Sequence, residues 1–250
     1  MTADHAAPSP RLLVVTGTGT DIGKTIVTAA VAAVLRERGL RVGLCKPVQT
    51  GLEPGEDGDV AEAAALAGVT DPADSAEFHR YPEPLAPETA AARAYMEPPE
   101  SGALCSRIEG FADGFDIALV EGAGGVLVRL GPELTIVDLA ARLRERGAEV
   151  EALVVTRAAL GTLSDTELAV DRLRGAGVPV AGTVIGDWPR EPGLAEECNV
   201  ADLPRLTGVP LLGRVPSGAG RLDAGDFRQS AGNWLEIPRS GVFSGSSRLI

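Results

Sequence analysis

One ten-residue stretch constrains this chain more than any other: Thr16-Gly17-Thr18-Gly19-Thr20-Asp21-Ile22-Gly23-Lys24-Thr25. The apolar run Leu12 to Val15 leads into it, and a helix-like run from Ile26 to Arg38 leads out. Strand, glycine-rich turn, Gly-Lys-Thr and helix, in that order, are the context a phosphate-binding loop needs. Backbone N–H groups of such a turn point at phosphate oxygens, and the helix N-terminus adds a favourable dipole. Lys24 is placed to reach β- and γ-phosphates, and the Thr25 hydroxyl to ligate Mg²⁺. The spacing is off by one: Thr18 stands where a glycine is usual, and Gly17 lies one residue further back.

Other segments carry the same alternation of strand and helix. Apolar runs at Arg41 to Lys46, Ile117 to Val120, Ala152 to Thr156, Val180 to Ile185 and Val209 to Val215 predict strands. Helical patterns follow at Val60 to Ala67, Pro87 to Tyr95, Gly102 to Gly110 and Leu134 to Arg146. Ser164-Asp165-Thr166-Glu167 reads as a capping box opening a helix to Arg174. Pro47 is expected to end the second strand at Lys46. Gly186-Asp187-Trp188-Pro189 and Pro216-Ser217-Gly218 read as strand exits. This alternation predicts an α/β fold: a doubly wound, mostly parallel sheet flanked by helices, of the P-loop NTPase kind, with ligands at the strand C-terminal ends. The expected organisation is a disordered extension over 1–10, a single domain over 11–235 and a flexible tail over 236–250.

Composition excludes several classes. A net charge of −12 and a pI of about 4.7 argue against a nucleic-acid or anionic-membrane surface. Three scattered cysteines and two histidines lack zinc-ligand spacing and fit a reducing, cytoplasmic setting. Met1 to Pro10 lacks a signal-peptide pattern, and no apolar run is long enough to span a membrane as a helix.

Four segments together resemble the dethiobiotin synthetase family: the loop Gly17 to Thr25, Lys46-Pro47-Val48-Gln49-Thr50-Gly51, Val120-Glu121-Gly122-Ala123-Gly124-Gly125, and Pro210-Leu211-Leu212-Gly213-Arg214-Val215-Pro216. They occur in the family's order, the resemblance spans roughly residues 11 to 218, and the displaced Gly17 is a feature of the family. The resemblance implies closure of a cyclic urea from 7,8-diaminononanoate, CO₂ and ATP through a carbamate and a carbamic-phosphoric anhydride. It implies Lys46, Lys24 and Thr20 as catalytic, with Thr20 and Thr50 contacting substrate. It implies nucleotide contacts from Asp21, Ile22, Gly23, Lys24, Thr25, Ile26, Asp59, Glu121, Gly122, Ala123, Gly124, Gly186, Asp187, Pro216, Ser217 and Gly218. Mg²⁺ would be held by Thr25, Asp59 and Glu121; Asp57 competes with Asp59, which could instead be a helix N-cap.

A homodimer is also implied, the partner subunit supplying Gly161, Thr162, Leu163 and Ser164 to the substrate carboxylate. Two departures stand out. Ser164-Asp165 replaces the family's usual Asn-His, which sets a negative charge near an anion site. Gly186 replaces an adenine-reading Asn, so weak discrimination between nucleoside triphosphates is expected. The alternative is a regulatory nucleotide-dependent ATPase that binds a protein partner. Gly19 counts against the partitioning ATPases, which carry a lysine there.

Overall fold

A computed structural model describes residues 9–243. The chain runs β1 (Arg11–Gly17), α1 (Lys24–Glu37), β2 (Val42–Thr50), α2 (Asp59–Ala67), β3 (Ser75–Tyr81), α3 (Pro87–Arg93), α4 (Ser101–Ala112) and β4 (Ile117–Glu121). It continues through a small hairpin, β5 (Arg129–Gly131) and β6 (Leu134–Thr135), then α5 (Ile136–Glu145) and β7 (Glu149–Thr156). The last elements are α6 (Thr162–Gly175), β8 (Val180–Trp188), α7 (Leu194–Thr207), β9 (Leu211–Pro216) and α8 (Ala224–Trp234).

Seven strands form one sheet in the order β3-β2-β4-β1-β7-β8-β9. Every pairing in it is parallel, so each connection must cross a face and carry a helix. Both faces are therefore covered, and β1 reads as a continuous apolar run. Leu13 and Val15 enter the core beneath α1, α2 and α8; Leu12 and Val14 enter the core on the opposite face, with Leu104, Ile108 and Leu139. β1 lies at the centre between β4 and β7, so the phosphate loop emerges at the middle of the sheet's C-terminal edge.

Local expectations failed in five places. β2 does not stop before Pro47 but continues to Thr50. Its ladder with β4 ends at the Cys45–Val120 pair, and Pro47 drops out of the register with β3, so the missing N–H breaks no ladder bond. β3 had not been anticipated; it is the sheet's edge strand, half-buried along most of its length. The Ser164 capping box does not form. Gly161, with φ of 92°, is the N-cap, and α6 begins at Thr162. β8 runs on through Gly186 and Asp187 to Trp188, so these residues belong to a strand and not to its exit loop.

The fifth concerns the C-terminal segment. Ile237, Val242 and Phe243 are buried, and the Arg11 guanidinium donates to the carbonyls of Gly241 at 3.2 Å and Val242 at 2.5 Å. The segment 236–243 is thus packed onto the domain. The expectations for 1–8 and 244–250 lie outside the described residues.

Candidate active site

The site grows from the end of β1. Asp21 and Gly23 both adopt left-handed backbone, with φ of 56° and 86°, and fold the loop back on itself before Lys24 opens α1. Left-handed geometry is costly for most residues, and Asp tolerates it better than bulky ones. The Lys24 ammonium turns into the loop and donates to the Gly19 carbonyl at 2.6 Å. Burial lowers its pKa below the ordinary lysine value, an effect only partly countered by the Glu121 carboxylate. The glycine run after β4 is laced to β1: Gly122 N–H donates to Val15 O at 2.9 Å and Val126 N–H to Gly17 O at 3.1 Å.

A cleft of about 1070 Å³ opens along the strand C-termini, with Thr20, Asp21, Gly23, Lys24, Thr25, Ile26, Lys46, Thr50, Asp59, Glu121, Ala123 and Gly124 in its walls. Four separate segments converge at its floor. Lys46 Nζ donates to Asp59 Oδ2 and, at 3.0 Å, to Glu121 Oε1. Thr25 Oγ1 donates to the same Glu121 oxygen at 2.9 Å, and Thr28 Oγ1 to the other at 2.8 Å. Burial opposes the Lys46 charge, but Glu121 and Asp59 outweigh it and hold its pKa above the usual lysine range. Both Lys46 and Glu121 are almost fully buried, so this pairing is not a solvated surface contact.

Asp59 is the first residue of α2 and not its N-cap, which is Gly58. Asp57 is exposed and outside the cleft wall. Thr25, Asp59 and Glu121 therefore present one hydroxyl and two carboxylates around the Lys46 ammonium. Hard oxygen donors of this kind, fewer than a full protein cage, suit Mg²⁺, which retains waters and shares phosphate oxygens. Glu62, one turn beyond Asp59 on α2, also lines the cleft; burial, then Asp59 and Glu121, raise its pKa.

Other expected residues sit differently. Ile22 is buried, its side chain packed against Gly17, and Gly122 packs on Ile136. Ser217 is exposed, its N–H donating to Trp188 O at 2.7 Å. None of the three is in the cleft wall, whereas Gly186, Asp187, Pro216 and Gly218 are. Gly161 to Ser164 lie outside the cleft altogether. The Thr162 hydroxyl is buried, 2.7 Å from that of Thr156, while Ser164 is exposed. Sequence reasoning missed Thr28 and Gln49. The signal for Thr28 was its place one turn after Lys24, on the face of α1 that carries the loop.

Residues 11–220 match a family model described as an AAA domain. The chain is 53% identical over 226 residues to the ATP-dependent dethiobiotin synthetase of Rhodococcus jostii, covering 90% of this chain and 94% of the relative. The chain belongs to the dethiobiotin synthetase family. The Streptomyces coelicolor member is 48% identical over 233 residues, covering 93% of this chain and 94% of the relative.

Among solved structures, the septum site-determining protein MinD of Pyrococcus horikoshii, determined with Mg-ADP, covers 93% of both chains at 17% identity and a TM-score of 0.54. That likeness shows an α/β fold shared beyond the dethiobiotin synthetase family. This member of the family carries Gly186 where a Cβ would stand 2.1 Å from Ile22 O, so the phosphate loop rests directly on the backbone of β8.

Proposed function

We propose that this chain catalyses ATP-dependent closure of the ureido ring of dethiobiotin from 7,8-diaminononanoate and CO₂, a ligase step of biotin biosynthesis. The convergence of Lys24, Lys46, Asp59 and Glu121 at one end of the cleft carries the reading, together with membership of the family. One substrate amine adds to CO₂ and loses a proton to become a carbamate. A carbamate oxygen attacks the γ-phosphorus of ATP, and ADP leaves. The second amine attacks the carbamoyl carbon of the mixed anhydride, and phosphate leaves as the ring closes.

The difficult encounter is between two anions, carbamate and γ-phosphate, so catalysis needs fixed positive charge where they meet. Lys46 supplies it from the middle of β2 and Lys24 from the start of α1. Thr20, whose hydroxyl lies against Gly124 in the cleft wall, donates a hydrogen bond to the transferring group; Thr50, in the same wall, contacts the substrate. Thr25, Asp59 and Glu121 would hold Mg²⁺, which adds positive charge at the phosphates. The nucleoside lies along Gly186, Asp187, Pro216 and Gly218.

Gly161 to Ser164 lie outside this chain's own cleft, which fits their serving the substrate carboxylate of a second copy in a homodimer. The free thiols of the buried Cys45 and Cys105 fit a reducing cytoplasm. Phosphate release from ATP should be stimulated by diaminononanoate plus bicarbonate. Lys46→Ala should lower kcat by about 100- to 1,000-fold while keeping the far-ultraviolet dichroism of the fold. Phosphate release indifferent to both substrates would sink the synthetase reading and favour a regulatory ATPase.

A further inference from the structure

We propose that Arg80 and Gln49 are positioning residues that hold the Asp59 carboxylate at the metal end of the cleft by clamping the loop 51–58. The proposal rests on the reading of Asp59 as a Mg²⁺ ligand.

Arg80 and Gln49 are register partners on β3 and β2. The Arg80 guanidinium is committed on two sides. Towards its own strand it forks onto Glu77, with Nε to Oε1 at 2.6 Å and Nη2 to Oε2 at 2.9 Å. Towards the loop, Nη1 donates to the carbonyls of Glu53 at 2.9 Å and Glu56 at 2.6 Å. An arginine held by a bidentate carboxylate presents its remaining donor in a fixed direction.

Gln49 is buried and acts one step closer to the carboxylate. Its Oε1 accepts from the Asp59 N–H at 3.1 Å, while its Nε2 donates to Thr50 O at 3.0 Å. α2 has no side-chain cap of its own: Gly58 occupies the cap position and offers none. Gln49 thus satisfies one open N–H of α2 from a neighbouring strand. Gly58 is wedged between the two clamps, since a Cβ there would meet Glu77 Oε2 at 2.7 Å and both Arg80 Nη2 and Gln49 Oε1 at 3.1 Å. The backbone entering Asp59 is fixed from both sides, and the carboxylate is left pointing at Lys46 Nζ.

An ordinary salt bridge between Arg80 and Glu77 three residues apart on an edge strand would contribute little. The two loop carbonyls and the buried glutamine are what extend it into a device acting on Asp59. The loop it holds is exposed from Glu53 to Asp57, and its own side-chain bond, Glu53 N–H to Glu56 Oε2 at 2.8 Å, does not reach Asp59.

Binding of Mn²⁺ to the full chain with ADP, followed by electron paramagnetic resonance, tests this in Arg80→Gln, Arg80→Lys, Gln49→Leu and Asp59→Asn. Loss of support behind a metal ligand costs about 10- to 100-fold in metal affinity. Arg80→Gln and Gln49→Leu should weaken Mn²⁺ by at least the lower figure and raise the Mg²⁺ needed for half-maximal turnover in parallel, while kcat at saturating Mg²⁺ recovers. Arg80→Lys should not rescue, because an ammonium cannot fork onto Glu77 and reach the loop. Amide exchange at Asp59 to Glu62 should quicken in both clamp variants. Unchanged Mn²⁺ affinity in both, or a lowered Tm with no selective loss of metal, overturns the clamp. Unchanged Mn²⁺ affinity in Asp59→Asn instead overturns the assignment of Asp59 as a ligand.

Discussion

Gly186 and Ile22 are in backbone contact: a Cβ on Gly186 would stand 2.1 Å from the Ile22 carbonyl oxygen and 2.7 Å from Val155 Cγ1. The contact is mutual, since a Cβ on Gly23 would stand 2.3 Å from Gly186 O. Strand β8 therefore forms the floor of the phosphate loop. Placing Asn at 186 should not restore an adenine-reading amide but lift the loop from its floor. Overpacking of this kind costs about 1–3 kcal/mol. Gly186→Asn should lower Tm and weaken ATP binding by calorimetry; an intact Tm with tighter ATP binding counts against it.

The same contact bears on base selectivity. Gly186 offers no side chain to the base, and neither Pro216 nor Gly218 in the neighbouring wall carries a polar one. Strong rejection of a wrong ligand needs buried polar groups left unpaired by it. Values of kcat/KM for ATP, CTP and GTP should lie within about tenfold of one another, one factor of ten being only about 1.4 kcal/mol of discrimination. A preference for ATP of several orders would show that another group reads the base.

Asp165 places a negative charge in the first turn of α6, close to the segment assigned to the substrate carboxylate. Arg157 Nη2 lies 3.2 Å from Asp165 Oδ2, so the charge is paired. Removing that partner should expose the substrate to Asp165. Charge effects at an exposed helix N-terminus run to about 0.3–1 kcal/mol. Arg157→Gln should therefore raise KM for diaminononanoate by about two- to fivefold, leaving KM for ATP unchanged. Asp165→Asn should move it the other way. Steady-state kinetics at low salt will show whether the two changes oppose each other.

His79 on β3 is partly buried, and burial, then the Arg107 guanidinium, pushes its pKa below the ordinary 6.5. The folded state then binds its proton less readily than the unfolded chain. This group's contribution favours folding above the unfolded pKa and is lost as pH falls below it towards the folded value. The chain has two histidines, so a His5→Gln variant leaves one imidazole to follow by NMR. Its midpoint should fall below that of a model peptide, and stability should decline with acidity across the same window.

What the sequence showed clearly was chemistry anchored in contiguous residues. The loop from Gly17 to Thr25 and Glu121 before its glycines each announce a strand end on their own, and Lys46 stands out by its charge in an apolar run although its strand continues to Thr50. Parallel topology then brings them together, because β1, β2 and β4 are neighbours in the sheet. The less legible features depend on distant partners. β3 looks unlike a strand because Glu77, His79 and Arg80 interrupt its apolar pattern. Arg80 and Glu77 have work at the loop 51–58, which only the fold reveals. The Ser164 pattern matched a capping box, but the buried hydroxyl cluster of Thr156, Thr162 and Thr166 draws α6 inward and starts it earlier. Arg11 and the Val242 carbonyl it holds are 231 residues apart, and no local pattern links them.

That last link has a consequence for how the molecule is made and handled. β1 is translated before the other strands of its sheet, and its far end delivers the phosphate loop. Its near end is closed by Arg11 gripping Gly241 and Val242, which are translated more than two hundred residues later. A nascent chain carries the whole nucleotide-loop sequence through more than two hundred further residues before the anchor of that loop's strand can be latched. Truncation before Val242 should leave the central strand unlatched, and a fusion partner joined tightly behind Phe243 would load strain onto the same latch.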